Sequence, residues 1–245
     1  MGRGPEAAAA LTLLPNPGME PRSALLLGAT GLVGGHVLDL LLDDPAYGSV
    51  LVLGRRAAPR EHPKLRQEVV DFDRLRDFSG TVRAQDVFCC LGTTIRAAGS
   101  REAFRRVDLD YPRAVAEAAA RNGAERFLLV TAMGADASSS VFYNRVKGEV
   151  EDAVRTLPFQ EVAILRPSLI LGERAERRPA EALAQRLAPR LNPLLRGPLR
   201  RYRAVEAETI ARAMLRLAKS GGRGVRIVES DGIAALGSVA LVEGR

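Results

Sequence analysis

The run SALLLGATGLVGGHVLDLLL, Ser23 to Leu42, puts a short apolar stretch directly before three glycines spaced every third residue. An apolar-periodic stretch then follows them. Strand, tight turn and helix in immediate succession is the reading these three features share. In that context Gly28 permits the turn, Gly31 lets the backbone approach a diphosphate, and Gly34 lets the helix pack closely on its strand. The expected phosphate-binding residues are therefore Gly28, Thr30, Gly31, Leu32, Val33 and Gly34, with helix N-terminal N–H groups facing the anion. No Gly-Lys-Ser or Gly-Lys-Thr follows, which excludes a nucleoside triphosphate loop of the Walker type.

Short apolar runs keep alternating with helix-like stretches down the chain. Strands are expected at Ser23–Leu27, Val50–Leu53, Glu68–Val70, Val87–Cys90, Arg126–Val130, Val162–Leu165 and Val225–Val228. Their non-alternating, Val- and Leu-rich character suits strands covered on both faces. Helices are expected at Leu32–Leu42, Tyr111–Arg121, Phe142–Arg155, Pro179–Leu187 and Thr209–Lys219. Tyr111-Pro112 reads as the start of the second, since proline is tolerated in a first turn. The expected fold is α/β: a doubly wound Rossmann fold with a mostly parallel seven-stranded sheet and a small C-terminal segment over the substrate. Residues 1–22 read as a disordered leader, 23–237 as one NAD(P)-binding domain containing a substrate lid at 173–204, and 238–245 as a tail.

Composition narrows the function classes. The chain has 245 residues, 47% of them hydrophobic, enough for one well-buried domain. Nothing in it reads as a membrane-spanning run. The two cysteines, Cys89 and Cys90, are adjacent, so as strand neighbours they point to opposite faces and cannot bridge. With only His36 and His62 beside them, no metal site is expected. The formal charge of +7 comes from a chain whose basic residues are nearly all arginine, without an aromatic-studded basic strand or a helix-turn-helix. No nucleic-acid partner is expected. The reducing environment that such cysteines suit points to the cytoplasm.

After the second strand comes Gly54-Arg55-Arg56, where an NAD-specific site places an acid for the ribose 2′-hydroxyl. Arg55 and Arg56 suit a 2′-phosphate instead, so NADP(H) is the expected cofactor. Asp71-Phe72, after the third strand, sits where an acid meets the adenine amino group. Leu91, Gly92 and Thr93, after the fourth, offer a small-residue turn against the ribose.

Tyr143 and Lys147 are four apart on an expected helix and so share a face. A tyrosine is a poor acid–base near neutral pH, but a neighbouring ammonium favours its phenolate. In that pair the tyrosine exchanges a proton with an alkoxide while the lysine also holds the nicotinamide ribose. Thr131, at the end of the fifth strand, is the expected hydroxyl that polarises a carbonyl; Ser139 and Ser140 are alternatives. Lys147 is one of only three lysines in the chain, which favours a specific role.

GATGLVG, FCCLGTT, the Asp-Tyr of VDLDYP, the GAD…SS…Y-x-x-x-KGEVE block and LRPSLILGER…RP together resemble the Tat-interacting-protein family of atypical short-chain dehydrogenases. The resemblance spans roughly Ser23 to Gly237. It implies an NADP(H)-binding Rossmann domain with Tyr143 as proton acceptor and Lys147 beside it, and places Ile170 and Arg178 near the nicotinamide end of the cofactor. Where the family often has two serines this chain has Thr131-Ala132.

The stretch after the sixth strand carries Arg174, Arg177, Arg178, Arg186, Arg190, Arg196, Arg200, Arg201 and Arg203. Such a cluster suits an acidic group on a substrate, or a weak contact with an anionic membrane surface. The leading expectation is an NADP(H)-dependent oxidoreductase acting on a small carbonyl or alcohol, monomeric or homodimeric through Tyr111–Arg121 and Phe142–Arg155. The alternatives are an NADPH-binding regulatory or scaffold protein without turnover, and a nucleotide-sugar-type epimerase or dehydratase.

Overall fold

Leu25, Leu26 and Leu27 are all fully buried, yet they face opposite sides of one strand. Leu26 packs into one apolar cluster, while Leu25 and Leu27 pack into another. The same split recurs at Val87-Phe88-Cys89 and at Phe127-Leu128-Leu129. A sheet whose every central strand is apolar on both faces must be covered on both, and helices do the covering.

The computed structural model describes residues 20–74, 80, 82–172, 195 and 197–238. Its strands are β1 (Arg22–Leu27), β2 (Tyr47–Gly54), β3 (Leu65–Val69), β4 (Asp86–Cys89), β5 (Arg126–Val130), β6 (Glu161–Arg166), β7 (Ile170–Leu171), β8 (Val205–Glu206) and β9 (Gly224–Glu229). The helices are α1 (Leu32–Asp43), α2 (Ile95–Ala98), α3 (Arg101–Arg105), α4 (Tyr111–Arg121), α5 (Phe142–Arg155), α6 (Ala207–Lys219) and α7 (Ser230–Ser238). Seven strands form one sheet in the order β3-β2-β1-β4-β5-β6-β9, and β7 and β8 make a small separate pair. Every pairing in the large sheet is parallel. Helices α1, α6 and α7 cover one face and α3, α4 and α5 the other. This is the doubly wound Rossmann arrangement, with its switch point between β1 and β4.

Boundaries shift where the sequence signal is weak. The edge strand β3 runs Leu65–Val69 rather than Glu68–Val70, because its pairing with β2 begins at Leu65 opposite Val50. Arg22 belongs to β1, one residue inside the expected leader. The β7–β8 pair is two residues long on each side, too short for a periodic signal, and α7 carries Gly232 and Gly237 within its nine residues. The expected helix Pro179–Leu187, most of the arginine-rich segment, residues 1–19 and 239–245 lie outside the described residues.

An α-helix does start at Tyr111 with Pro112 in its first turn, as expected, but it does not start from a loop. The chain is already helical from α3, through a π-helical turn at Arg106–Asp110, into α4. Pro112 has no N–H to give the carbonyl four residues back, that of Asp108. The widened turn accommodates this: the Tyr111 N–H donates to the Arg106 carbonyl, five residues back.

Candidate active site

At the switch point the C-terminal ends of β1 and β4 nearly touch. Gly28 has φ 81°, and a Cβ there would lie 2.5 Å from the Cys90 carbonyl oxygen. Glycine is therefore required twice over, by the turn and by the neighbouring strand. The Gly31 N–H donates to the Gly28 carbonyl at 2.9 Å. A Cβ on Gly34 would run into that same carbonyl, so Gly34 seats α1 against the turn. The N-terminus of α1 has no side-chain cap and no acid in its first turn. Its N–H groups, from Leu32 and Val33 onward, suit an anion.

Beside this turn lies a cleft of about 500 Å³ lined by Ala29, Thr30, Gly31, Gly35, Leu38, Asp39, Arg56, Ala57, Ala58, Pro59 and Arg60. Of the expected residues, Thr30, Gly31 and Arg56 line it, while Arg55 is exposed outside the lining. Arg60 and Asp39 are additions. Arg60 Nε donates to Asp39 Oδ1 at 2.9 Å, and both side chains are about half exposed. An uncapped helix start, a glycine approach and two guanidinium groups on one cleft fit the anionic half of a dinucleotide.

The second half of the site is built around Lys147. Tyr143 and Lys147 lie on one face of α5, and Lys147 Nζ sits 6.0 Å from the centre of the Tyr143 ring. Lys147 is buried, and its Nζ lies 2.7 Å from Oδ1 of the fully buried Asp108. The π turn carries this aspartate. Its other oxygen accepts from the Thr93 N–H at 2.9 Å, tying the loop after β4 to the lysine. A Cβ on Gly92 would stand 3.6 Å from Asp108 Oδ1 and 3.7 Å from Lys147 Nζ, so the Leu91-Gly92-Thr93 turn passes directly over the pair. Burial works most strongly against the Lys147 ammonium, and the Asp108 carboxylate beside it, helped by Tyr143, more than offsets that, holding the group above the ordinary lysine range. Tyr143 leans on Phe104, with ring centres 5.6 Å apart. The two halves, a nucleotide cleft over β1–β2 and a tyrosine–lysine pair under the β4 loop, meet across the switch point.

Residues 28–181 match the family model described as NAD(P)H-binding. The chain belongs to the NAD(P)H-binding family. Protein HTATIP2 of Rattus norvegicus is 38% identical over 224 residues, 89% of this chain and 90% of that protein. A protein named fmp52, mitochondrial, from Aspergillus clavatus is 35% identical over 213 residues, 84% and 88% of the two chains. The resemblance to the Tat-interacting-protein family thus holds over nearly the whole length. Among solved structures, MoeE5 in complex with UDP-glucose and NAD superposes with a TM-score of 0.64 at 17% identity, covering 84% of this chain and 75% of that one. UDP-N-acetylglucosamine 4-epimerase from Methanobrevibacter ruminantium M1 gives a TM-score of 0.64 at 15% identity, over 86% and 77%. At those identities the likeness is one of fold.

Within this NAD(P)H-binding frame, several expected residues sit elsewhere. Phe72 is buried in the core and stacks on Tyr111, ring centres 5.1 Å apart, so its ring serves packing. Asp71 is exposed, and one of its oxygens accepts from the Asp73 N–H at 3.0 Å, shaping the turn that follows β3. Thr131 is buried and does not join the tyrosine. Its hydroxyl donates to Glu151 Oε1 at 2.7 Å, eight residues beyond Tyr143 on α5, about 12 Å along the helix. Glu151 is fully buried and also receives Arg166, Nε at 2.9 Å, and Arg155, Nη2 at 2.8 Å. The Thr131 hydroxyl thus belongs to a buried ionic cluster under the far half of α5. Ser139 Oγ accepts from the Val141 N–H at 3.2 Å at the entry to α5, and Ser140 is exposed. Ile170 is half-buried on β7, opposite Val205, and Arg178 lies outside the described residues.

Besides Arg60 and Asp39, sequence reasoning missed Asp108. An acid between Val107 and Leu109, in the VDLDYP stretch that also carries Asp110, was its only signal.

Proposed function

We propose that the chain is an NADP(H)-dependent oxidoreductase of the short-chain dehydrogenase type, acting on a small carbonyl or alcohol. The observation that carries the reading is the buried Lys147 against the face of Tyr143, directly under the turn that follows β4. When bound, the nicotinamide supplies or accepts the hydride. Tyr143 moves the proton at its phenolic oxygen, giving it to a forming alkoxide or taking it from an alcohol. Lys147 keeps a positive charge over the tyrosine ring, its Nζ 6.0 Å from the centre, and Asp108 keeps the lysine protonated and fixed in place. Arg56, with Arg60 beside it, favours the 2′-phosphate over a bare ribose hydroxyl. The arginine-rich stretch suits a substrate bearing an acidic group.

A second reading, a cofactor-binding regulatory protein without turnover, is favoured by one observation: Thr131 is committed to Glu151 and its neighbour is Ala132, so the expected polarising hydroxyl is not free beside Tyr143. One experiment separates the readings. Fluorescence titration with NADPH and NADH is followed by NADPH consumption across a panel of aldehydes, ketones and keto acids. Turnover that Tyr143→Phe removes, with NADPH affinity unchanged, supports the oxidoreductase. NADPH binding without turnover on any carbonyl gives the regulatory reading the stronger claim.

A further inference from the structure

Arg105 of α3 is paired with Glu149 of α5, so an ion pair joins the two helices there. Two turns back along α5, at Tyr143, the same helices bring cations together without an acid. The Arg101 guanidinium lies over the Phe142 ring, 5.1 Å from its centre, and the Arg145 guanidinium lies 5.8 Å from the same centre. Phe142 is the residue before Tyr143, and Phe104 of α3 packs against both rings, with 5.8 Å and 5.6 Å between centres. One aromatic cluster thus holds two guanidinium groups beside the tyrosine. Neither makes an ion pair with any described residue. Elsewhere in the molecule acids gather the arginines: Glu151 takes Arg155 and Arg166, and Asp86 takes Arg22 and Arg126. The acids that α3 and the first two turns of α5 offer, Glu102 and Glu149, are occupied. The Glu102 carboxylate accepts from the Ser100 hydroxyl and from its own N–H, while Glu149 holds Arg105. Arg145 spends Nη1 on the Ser139 and Ser140 carbonyls, at 2.8 Å and 3.4 Å, so it contributes chiefly charge. Arg101 is exposed and its N–H groups are uncommitted. With its face on the ring, its edge is open to a planar acceptor.

We infer that Arg101, with the charge of Arg145 behind it, receives a carboxylate of the substrate whose carbonyl or alcohol reacts at Tyr143. The substrate class is then an oxo acid or the matching hydroxy acid, its carboxylate set apart from the reacting carbon by a short chain. Val141, 54% exposed and directly before Phe142, gives that chain an apolar surface to lie on. The inference rests on the oxidoreductase reading, but it does not depend on the arginine-rich stretch after β6. A guanidinium already seated on a ring has little freedom left to lose when it meets an anion, and its planar fork matches a carboxylate edge to edge. A neutral ester in the same place would leave both cations without a counter-charge, so the pair separates acids from esters.

Binding and turnover are tested separately. Glutarate, an unreactive dicarboxylate, and glutaramide, its neutral counterpart, are titrated by calorimetry into the full chain saturated with NADPH. Glutarate should bind more tightly by about tenfold, and Arg101→Glu should remove that advantage with circular dichroism unchanged. Arg101→Lys keeps the charge without the planar fork and should fall between the two. Turnover then compares succinic semialdehyde and levulinate, each beside its methyl ester. The acids should show the higher kcat/KM, and Arg101→Ala should narrow the gap, chiefly through KM. Equal binding of glutarate and glutaramide overturns the inference, as does a glutarate affinity that Arg101→Glu leaves where it was. Turnover of acids and esters alike overturns it too, while the oxidoreductase stands. Glutarate binding that Arg101→Glu abolishes, with no carbonyl turned over, supports the carboxylate site and removes the oxidoreductase.

Discussion

Lys147 Nζ lies 2.7 Å from Asp108 Oδ1, and both side chains are almost wholly out of water. The lysine that faces the tyrosine is therefore half of a buried ion pair whose other half sits on a π turn. Removing one member of such a pair leaves the other charged and unpaired in the interior. Asp108→Ala should lower stability by about 3–5 kcal/mol, read from urea unfolding at pH 7. The pH dependence should change sign. In the wild type the Lys147 value is raised, so its contribution is complete below the unfolded lysine range and fades as pH rises through the folded value. In Asp108→Ala the folded value falls below the unfolded one, and stability should recover as pH rises. A variant that loses stability with rising pH as the wild type does would show that Asp108 does not hold this charge.

Arg60 and Asp39 hold each other across the nucleotide cleft at 2.9 Å. Two opposite changes are expected. Arg56→Ala and Arg60→Ala should each reduce the preference for NADPH over NADH roughly tenfold at low salt, and less as salt screens the phosphate. Asp39→Ala removes the competing carboxylate and should raise the same preference. Paired titrations with both nucleotides measure it, and an unchanged ratio in the double arginine variant removes these residues from cofactor selection.

Two adjacent glycines of α1 should behave differently. A Cβ on Gly34 meets the Gly28 carbonyl, which is backbone and cannot step aside, so Gly34→Ala should cost about 1–3 kcal/mol and weaken nucleotide binding. At Gly35 the nearest atom to a Cβ, the Ala29 carbonyl oxygen, is an ordinary 3.7 Å away. Gly35→Ala should stabilise the helix by up to about 1 kcal/mol. Thermal unfolding of the two variants side by side decides the matter.

Cys89 is fully buried, and burial pushes its thiol up to about 12. At pH 8 only about one molecule in ten thousand carries the thiolate there. Iodoacetamide should leave Cys89 unmodified in the native protein and label it after unfolding in urea, as peptide mass mapping would show. Labelling of the native protein at the unfolded rate would mean that this strand opens readily.

Much of this was legible from local signals. The glycine turn could be read because each glycine answers a separate contact within a dozen residues, and the central strands because both their faces are apolar. Lys147 stood out by rarity and spacing. The rest depended on partners distant in sequence. Thr131 looked catalytic from its place at a strand end, but Glu151 and Arg166 take it into a cluster that no local pattern announces. Pro112 looked like a helix start because proline usually sits in a first turn, and a helix passing through it requires the rarer π geometry. Asp108 was hidden for the same reason.

That π turn also makes the molecule intolerant of a change in length at one place. It holds one residue more per turn than the helices it joins, so deleting a single residue such as Val107 would let an unbroken α-helix form. The helix would then be regular and its two flanks would keep their phase, since the wide turn spends five residues where an α-helix spends four, but the residues inside the turn would lose the positions that the extra residue gives them. The carboxylate would swing away from Lys147, and the loop it anchors through Thr93 would lose its mooring. A surface loop can gain or lose a residue at little consequence. Here the extra residue sets where the Asp108 carboxylate points, so the fold should survive a deletion that dismantles the site.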